Sequence, residues 1–244
     1  MNPANSSGRV KMHLSASELK RKCKTLWVLF WMKFAGRSAL GRAATRLATA
    51  FAPPYQAMRG LAELNSKGYI SPKATIHHDE LILGSNIFIA EGVVIFKDYL
   101  GGPVELMDRA NIHMDTIIQT GFGGKVSIGA DSYIQPRCQF SAYKSSIKIG
   151  NFVQIAPNCA FYPYNHSTEP DKKIAVQPLT SRGGIIIEDD VWLGYGVIVL
   201  DGVRIGKGAV IGAGSVVKSD IPAGAIAAGV PARVIKMRSE STLD

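Results

Sequence analysis

From about residue 70 onward, a large apolar side chain recurs every six residues. The longest unbroken run of these positions is Ile187, Leu193, Val199, Ile205, Ile211 and Val217. A second inward position follows each of them four residues later, at Val191, Val197, Val203, Ala209, Ser215 and Ile221. A helix has a period of 3.6 residues and a simple strand a period of two. The chain therefore follows neither pattern.

A six-residue period suits short, flat strands that turn a corner after each repeat. Three repeats close one coil, and successive coils stack at the ~4.8 Å spacing between paired strands. Earlier parts of the chain follow the same rule, at Ile89 and Ile95, Ile128 to Phe140, and Ile149 to Phe161. Glycine, asparagine and aspartate after the large residues supply the tight turns. The pattern predicts a parallel β-solenoid.

A helical pattern precedes the repeats, from Glu18 to about Phe51, and ends at Pro53-Pro54. Its aromatic residues share one helix face, at Trp27, Phe30, Trp31 and Phe34. The apolar run 26–32 is far shorter than the ~20 residues of a membrane-spanning helix. Two interpretations stay open. The helix packs on the main domain or on a neighbouring subunit, or it lies in a membrane interface with lysines on anionic lipid.

Charge separates the same two parts of the 244-residue chain. The formal net charge is +9, yet residues 1–68 hold twelve basic residues against two acidic ones, and residues 69–244 are nearly neutral. We therefore predict a basic amphipathic helical segment at 1–68, a catalytic solenoid at 69–222 and a tail at 223–244. The hydrophobic fraction of 46% excludes a disordered chain. Three cysteines cannot form a disulfide framework, which favours a cytoplasmic location.

The end of the repeat region resembles a known family. Its residues are Ile211-Gly-Ala-Gly-Ser-Val-Val-Lys-Ser-Asp-Ile-Pro and then Ala228-Gly-Val-Pro-Ala-Arg-Val-Ile. This ending, with the repeats over about 70–235, is similar to the hexapeptide-repeat acyltransferases, especially galactoside and maltose O-acetyltransferases and sugar O-acetyltransferases of surface-polysaccharide pathways. The resemblance implies an all-β solenoid that is a left-handed parallel β-helix. It also implies acetyl coenzyme A as co-substrate and a homotrimer with sites between subunits.

Three segments interrupt the repeat, at 97–104, 119–125 and 167–184. The last is longer than a packing turn requires, and such loops usually have a function. His166 stands directly before it and aligns with the general base of the galactoside enzymes. An imidazole, with an ordinary pKa of ~6.5, can take the proton of an attacking hydroxyl. We predict His166 as the catalytic base.

The resemblance also implies binding residues. For the acceptor these are Gln135, Asn165 and Gln177. Gln135 aligns with an asparagine of the galactoside enzymes and offers the same amide on a longer arm. For coenzyme A they are Gly194, Tyr195, Ala213, Lys218, Ser219, Arg233 and Lys236. Arg233 and Lys236 match basic positions near the nucleotide phosphates. Glycines would let the pantetheine arm approach the backbone.

The remaining histidines and cysteines have simpler interpretations. His77, His78 and His113 occupy positions that point out of the solenoid, and their spacing does not support a zinc site. Cys138 and Cys159 occupy small inward positions and are expected to be buried. No serine or cysteine has a partnered base in the sequence, which favours direct transfer over an acyl-enzyme. We predict no metal.

The sequence thus predicts an acetyl coenzyme A-dependent O-acyltransferase acting on a sugar hydroxyl in glycan biosynthesis. Alternatives are N-acylation of an amino sugar, an antibiotic-modifying acetyltransferase, a zinc hydrolyase and a non-catalytic scaffold. The expected partners are a sugar or glycan acceptor, which a lipid carrier could hold, and a membrane surface bound through residues 18–51. No nucleic acid partner is expected. The expected location is the cytoplasm, peripheral to the membrane.

Overall fold

The computed structural model of the chain describes residues 15–51 and 55–238. The predictions made for residues 1–14, for the Pro53-Pro54 break and for the last six residues lie outside this part of the chain. From Tyr69 onward the described chain winds into a parallel β-solenoid of about seven coils, each built from three short strands. The predicted all-β solenoid with an N-terminal helical segment is confirmed, consistent with the left-handed β-helix that the resemblance implies.

Three parallel sheets run along the solenoid. Sheet A contains β1 (Tyr69–Ile70), β4 (Phe88–Ile89), β7 (Asn111–Ile112), β10 (Tyr133–Ile134), β13 (Gln154–Ile155), β18 (Trp192–Leu193), β21 (Val210–Ile211) and β23 (Ala225–Gly229). Sheet B contains β2 (Thr75–His77), β5 (Val94–Lys97), β8 (Ile117–Gly121), β11 (Gln139–Tyr143), β14 (Ala160–Tyr162), β19 (Ile198–Leu200) and β22 (Val216–Val217). Sheet C contains β3 (Leu81–Leu83), β6 (Val104–Leu106), β9 (Val126–Ile128), β12 (Ile147–Ile149), β17 (Ile185–Ile187) and β20 (Val203–Ile205).

The six-residue period places its residues as predicted. In the run from Ile187 to Ile221, every large and every small inward position is buried. Equivalent residues of successive coils pair directly, as Ile134 does with Ile155 and Phe140 with Phe161. Cys138 and Cys159 are buried small inward residues, which confirms their expected position. The contact with the Cys159 thiol, together with burial, raises the pKa of the Cys138 thiol.

The N-terminal segment forms two helices instead of one continuous run. They are α1 (Ala16–Met32) and α2 (Ala39–Thr49), and a 3-10 helix (Tyr55–Leu64) follows them. The break occurs because Ser38 caps a new helix: its hydroxyl accepts a hydrogen bond from the Gly41 amide at 3.1 Å. The two helices pack together, and the Trp27 indole donates to the Leu47 carbonyl at 2.7 Å.

The 3-10 helix packs on the outer face of sheet A. The helices before it contact the first coil, where Arg42 donates to the Pro72 carbonyl at 2.5 Å and Arg37 donates to the Leu81 carbonyl at 3.2 Å. The packing interpretation therefore describes part of this segment.

An aromatic stack follows the outer face of sheet A through Tyr69, Phe88, His113 and Tyr133. Arg59, in the 3-10 helix, lies over the Tyr133 ring at 5.3 Å. Other parts of α1 and α2 remain exposed, including Leu26 and Phe30.

Two of the histidines predicted to point out of the solenoid, His78 and His113, are nevertheless buried. His113 does lie on the outside of the sheet, but it is only 4% exposed because it stands in the aromatic stack beside the N-terminal segment. His78 directly follows β2, the first strand of sheet B, and its ring contacts the Thr120 hydroxyl at 3.1 Å. His77 is exposed, as expected.

The described chain ends in a hairpin. Strand β24 (Ala232–Met237) runs antiparallel to β23 at the end of sheet A. The division of the chain at residues 68 and 222 stays a prediction.

Candidate active site

The interruptions of the repeat meet along one edge of the solenoid. We call it the BC edge and define it as the connections from sheet B to sheet C at 98–103, 122–125, 144–146 and 163–184, with the strand ends that flank them. Backbone hydrogen bonds join its turns: the Phe122 amide donates to Tyr99 at 2.9 Å, and the Lys144 amide donates to Gly121 at 3.2 Å. Segments far apart in sequence are therefore stacked in space.

His166 lies where the longest connection leaves this edge. It belongs to β15 (Asn165–His166), which pairs antiparallel with β16 (Leu179–Thr180). The two strands form the stem of a loop that projects from the solenoid, and a short 3-10 helix (Ile174–Val176) lies within it. The His166 side chain is exposed. The sequence places this histidine on a loop, and the structure adds a paired stem that fixes its backbone.

A buried carboxylate anchors that stem. Asp201 is 1% exposed and accepts hydrogen bonds from the Ser181 hydroxyl at 2.8 Å and the Arg182 amide at 2.6 Å. The Asn165 amide group donates to the same carboxylate at 3.3 Å, and the Gly184 amide at 3.2 Å. Asp201 thus holds both ends of the His166 loop. Asp201 is not evident from the sequence, because Asp-Gly after a strand is also typical of an ordinary turn.

Two predicted acceptor residues have structural contacts in this loop. The Gln177 side chain is buried; it accepts from the Glu169 amide at 2.8 Å and donates to the carbonyls of Glu169 and Lys172. Its amide therefore holds the loop together, and Asn165 contacts Asp201. A role for either residue in acceptor binding stays a prediction.

Gln135 lies elsewhere, in a cleft of about 690 Å³ on the outer face of sheet A. The cleft lining is mainly polar and comprises Arg59, Ala62, Glu63, Asn86, Arg109, Asn111, Asp131, Tyr133, Gln135 and Gln154. Arg109 donates two hydrogen bonds to the Asp131 carboxylate, at 2.7 and 2.6 Å, and this pairing lowers the pKa of Asp131. Amides and paired charges of this kind can bind sugar hydroxyls.

The predicted donor residues occupy several positions in the last two coils. Tyr195 and Ala213 stack at the turn from sheet A to sheet B, where the Gly214 amide donates to the Tyr195 carbonyl at 2.7 Å. Gly194 is buried, and a Cβ there would lie 2.7 Å from the Ala213 nitrogen. Close packing between coils therefore explains Gly194. Gly214, with a φ of 69°, has open space beside it, as does Gly196 in the stacked turn, with a φ of 68°.

The four polar donor residues are all exposed. Lys218 and Ser219 follow β22 at the end of sheet B, and Arg233 and Lys236 lie on β24. Trp192, which is not among the predicted donor residues, is 55% exposed on the outer face of sheet A, beside the Tyr195 turn. An exposed tryptophan at a strand position that normally carries a smaller residue is the signal that could have identified it.

Within one chain, the predicted site is divided. His166 lies on the BC edge, Gln135 lies on the face of sheet A, and Tyr195 lies at the turn between sheets A and B. The described cleft that contains Gln135 does not contain His166. Bringing these groups around one substrate therefore requires a ligand long enough to span them, or a second chain.

The BC edge also contains a tyrosine–carboxylate pair. The Tyr143 hydroxyl donates a short hydrogen bond to Asp98, whose carboxylate also accepts from the Tyr99 amide at 2.7 Å. Burial, reinforced by this contact, raises the pKa of Tyr143 to about 12, and the same hydrogen bonds lower the pKa of Asp98. Among the residues that the structure describes, no group of three His, Cys, Asp or Glu side chains is arranged to hold a metal ion.

Comparisons with known proteins bear on the repeats and the fold. The family "Bacterial transferase hexapeptide (six repeats)" matches residues 184–219. The crystal structure of the polySia specific acetyltransferase NeuO is similar, with a TM-score of 0.58 and 25% identity, over 68% of this chain and 77% of that one. In its fold and its repeats the chain is thus similar to hexapeptide-repeat proteins. The predicted resemblance to the hexapeptide-repeat acyltransferases is confirmed.

Two further similarities are more limited. The 2,3,4,5-tetrahydropyridine-2,6-dicarboxylate N-acetyltransferase of Staphylococcus aureus (strain JH9) is 55% identical over 60 residues, which are 25% of this chain and 25% of that protein. The match thus spans about a quarter of the length of the curated relative. A hexapeptide-repeat acetyltransferase of Vibrio cholerae O1 biovar eltor, crystallised with acetyl coenzyme A, covers 92% of each chain at 20% identity, with a TM-score of 0.47.

Proposed function

We propose that the protein transfers an acetyl group from acetyl coenzyme A to a hydroxyl of a sugar or glycan. The position of His166 carries the proposal: an exposed imidazole on a paired stem, anchored by buried Asp201, at the edge where the repeat is broken. A solenoid needs no such loop for its own stability. The likeness to a polySia specific acetyltransferase supports a glycan acceptor.

His166 would act as the general base. Its imidazole takes the proton of the acceptor hydroxyl as that oxygen attacks the thioester carbonyl, and later returns the proton to the leaving sulfur. The bound donor supplies the acyl carbon, whose bond to sulfur breaks as the new ester bond forms. Asp201 positions the stem and does not take part in the proton transfer. Fixing the base in this way reduces the entropic cost of reaching the reactive geometry.

The division of the site supports a trimer in which neighbouring chains complete it. We propose that the Gln135 cleft of one chain binds the acceptor. His166 of the neighbouring chain then faces that acceptor. The Tyr195 turn, Gly214, Lys218 and Ser219 would line the donor arm, and Arg233 and Lys236 would approach the nucleotide phosphates. In this arrangement the exposed predicted residues bind the donor, and Gly194 allows close packing between coils.

N-acylation of an amino sugar is the second candidate. The observation in its favour is the 55% identity, over 60 residues, to an N-acetyltransferase. Both reactions need a base beside the acceptor, so the geometry of His166 serves either one.

Radiolabelled transfer from acetyl coenzyme A across a panel of sugars, amino sugars and glycan hydrolysates tests the proposal. We expect a product whose label hydroxylamine removes, because hydroxylamine cleaves acetyl esters and leaves acetyl amides intact. A label that resists hydroxylamine would establish the N-acyl alternative. No transfer to any acceptor would contradict both.

We further propose that α1 and α2 hold the enzyme at an anionic membrane surface. Leu19, Cys23, Leu26 and Phe30 are exposed and lie on one stripe of α1, opposite the buried Met32 face. Basic side chains flank the stripe at Lys20, Lys22, Lys24 and Lys33. Like charge opposes pairing of two such helices, whereas anionic lipid complements them. Within the described residues, no helix is long and apolar enough to cross a bilayer.

Vesicle flotation tests this location. Wild-type protein should float with phosphatidylcholine vesicles that contain phosphatidylglycerol and should remain unbound with pure phosphatidylcholine. The double variant Leu26→Asp, Phe30→Asp should lose binding, while Ile82→Asp, an equally exposed change on the solenoid, should retain it. Equal binding by the double variant would refute the membrane role.

A further inference from the structure

The BC edge carries a row of aromatic rings that the chemistry at His166 does not use. Its members are Tyr99, Phe122, Tyr143 and Tyr164, one from each of four successive coils. Their ring centroids are 5.9, 6.1 and 5.7 Å apart along the row, and Tyr162 lies 6.3 Å from Tyr164. We call this row the aromatic ladder. It ends two residues before His166.

The solenoid itself does not require these rings. Tyr99 is 68% exposed and Phe122 is 51% exposed, so neither contributes fully to the core. Phe122 has a φ of 48°, a conformation that glycine and asparagine adopt more easily. Exposed rings that align along one edge, coil after coil, indicate a use outside the fold.

Hydrogen bonds fix the turns that carry the aromatic ladder. The Gly123 amide donates to the Leu100 carbonyl, as the Phe122 amide does to Tyr99, so the first two turns are joined by two backbone hydrogen bonds. Tyr143 is fixed by its bond to Asp98 in the turn of Tyr99. The turns that carry the rings are therefore fixed relative to one another, which lowers the entropic cost of binding a ligand.

We propose that the aromatic ladder binds an extended glycan chain and that the acceptor is therefore an oligosaccharide or polysaccharide. A sugar ring presents an apolar face of C–H groups that stacks on an aromatic ring, and its hydroxyls meet the phenol oxygens and the Asp98 carboxylate. The ring spacing is close to the length of one sugar unit. A polymer following the ladder would place successive units on successive coils and one unit at His166. Stacked repeats commonly present such extended binding surfaces.

This inference rests on the proposed function and extends it from the sugar unit at His166 to the neighbouring units of the same glycan. A second copy of the protein is the competing occupant, because exposed rings also occur in subunit contacts. The polar groups beside the ladder, and its continuity with the His166 stem, favour the glycan.

The test compares acceptor lengths for whichever polymer accepts acetyl groups in the panel of hexose, hexosamine and sialic acid polymer hydrolysates. These are fractionated from monosaccharide to octasaccharide. We expect kcat/KM to rise about tenfold from monosaccharide to tetrasaccharide and then level off. The double variant Tyr99→Ala, Phe122→Ala should lose this gain while keeping its rate on the monosaccharide. Phe152→Ala is the matched control, because Phe152 is 59% exposed in a left-handed turn away from the ladder.

The outcomes separate this inference from the proposed function. Transfer that does not depend on acceptor length, or a length gain that survives the double variant, would overturn the ladder and leave the transferase intact. Dissociation of the oligomer by the double variant, measured by light scattering, would assign the rings to a subunit contact and overturn the inference as well. A panel without any acceptor would contradict the transferase and the ladder together.

Discussion

The BC edge and the outer face of sheet A belong to the same coils, yet the edge is open and the face is covered in part. The edge carries exposed His166 on a projecting stem. The face carries His113 in an aromatic stack beside the N-terminal segment. Both histidines point away from the solenoid interior, but only His166 is accessible to a substrate.

The difference shows that an outward position in a hexapeptide repeat does not establish exposure. The six-residue period determines which side chains enter the coil. Which outer surface is then covered depends on segments outside the repeat. In this chain the helical N-terminal segment covers part of sheet A and leaves the BC edge free. A functional site is therefore expected where the repeat is interrupted and no other segment covers the surface.

The largest expected effect comes from removing the anchor of the open edge. Asp201→Ala removes a buried carboxylate that accepts four hydrogen bonds, which should lower the free energy of unfolding by about 4 kcal/mol. Chemical denaturation measures this loss. Because the His166 stem loses its attachment, acetyl transfer by the folded variant should also fall.

Asp108→Ala is the control for this change. Asp108 accepts a hydrogen bond from the Ser85 amide at 2.7 Å and is exposed, so its removal should cost about 1 kcal/mol. Equal losses for the two variants would show that Asp201 has no special role.

The covered face should make stability depend on pH. Burial, with a smaller contribution from Arg59, lowers the pKa of His113 to about 4. Above pH ~6.5 the imidazole is neutral in both states. As the pH falls from 6.5 to 4, the unfolded chain binds a proton that the native chain does not. The free energy of unfolding should therefore fall by up to about 3 kcal/mol over this range.

Denaturant titrations at several pH values measure this dependence. His113→Phe keeps a ring in the stack and should lose that part of the pH dependence. His77→Gln, a change at an exposed histidine, should retain it. An unchanged slope in His113→Phe would show that the face is open to water.

A smaller effect is expected at the cover of the same face. Arg59→Ala removes the cation over the Tyr133 ring, a contact worth about 1 kcal/mol. It also removes a positive charge that disfavours protonated His113. The pKa of His113 should therefore rise towards its ordinary value, and the free energy of unfolding should fall less between pH 6.5 and 4. Lys24→Ala removes a similar contact, 5.8 Å from the Phe51 ring, and should leave the pH dependence unchanged. A similar response to both would contradict the pairing of Arg59 with His113.

Much of the fold follows from sequence because the repeat is a local rule. The period identifies the inward residues, including Cys138 and Ser215, and the helical pattern identifies the N-terminal segment. The interruptions of the repeat also indicate where the His166 loop leaves the coils. Each of these predictions needs only neighbouring residues and their spacing.

The remaining features depend on contacts between distant segments. The burial of His113 depends on a segment that starts far earlier in the chain. The aromatic ladder joins rings from Tyr99 to Tyr164, and no short window of sequence contains them all. Asp201 was missed because its partners arrive from the loop before it, whereas its own neighbours indicate an ordinary turn. The spacing of residues along the sequence cannot predict contacts between such distant segments.

The central claim is that an uncovered interruption of the repeat performs acetyl transfer through His166. The most direct measurement is the rate of acetyl transfer by His166→Ala beside His77→Ala, an equivalent change at an exposed histidine elsewhere on the solenoid. We predict that His166→Ala loses a factor of roughly 10² to 10⁴ in kcat with an unchanged thermal unfolding curve, and that His77→Ala retains wild-type activity. Wild-type turnover by His166→Ala would contradict the account.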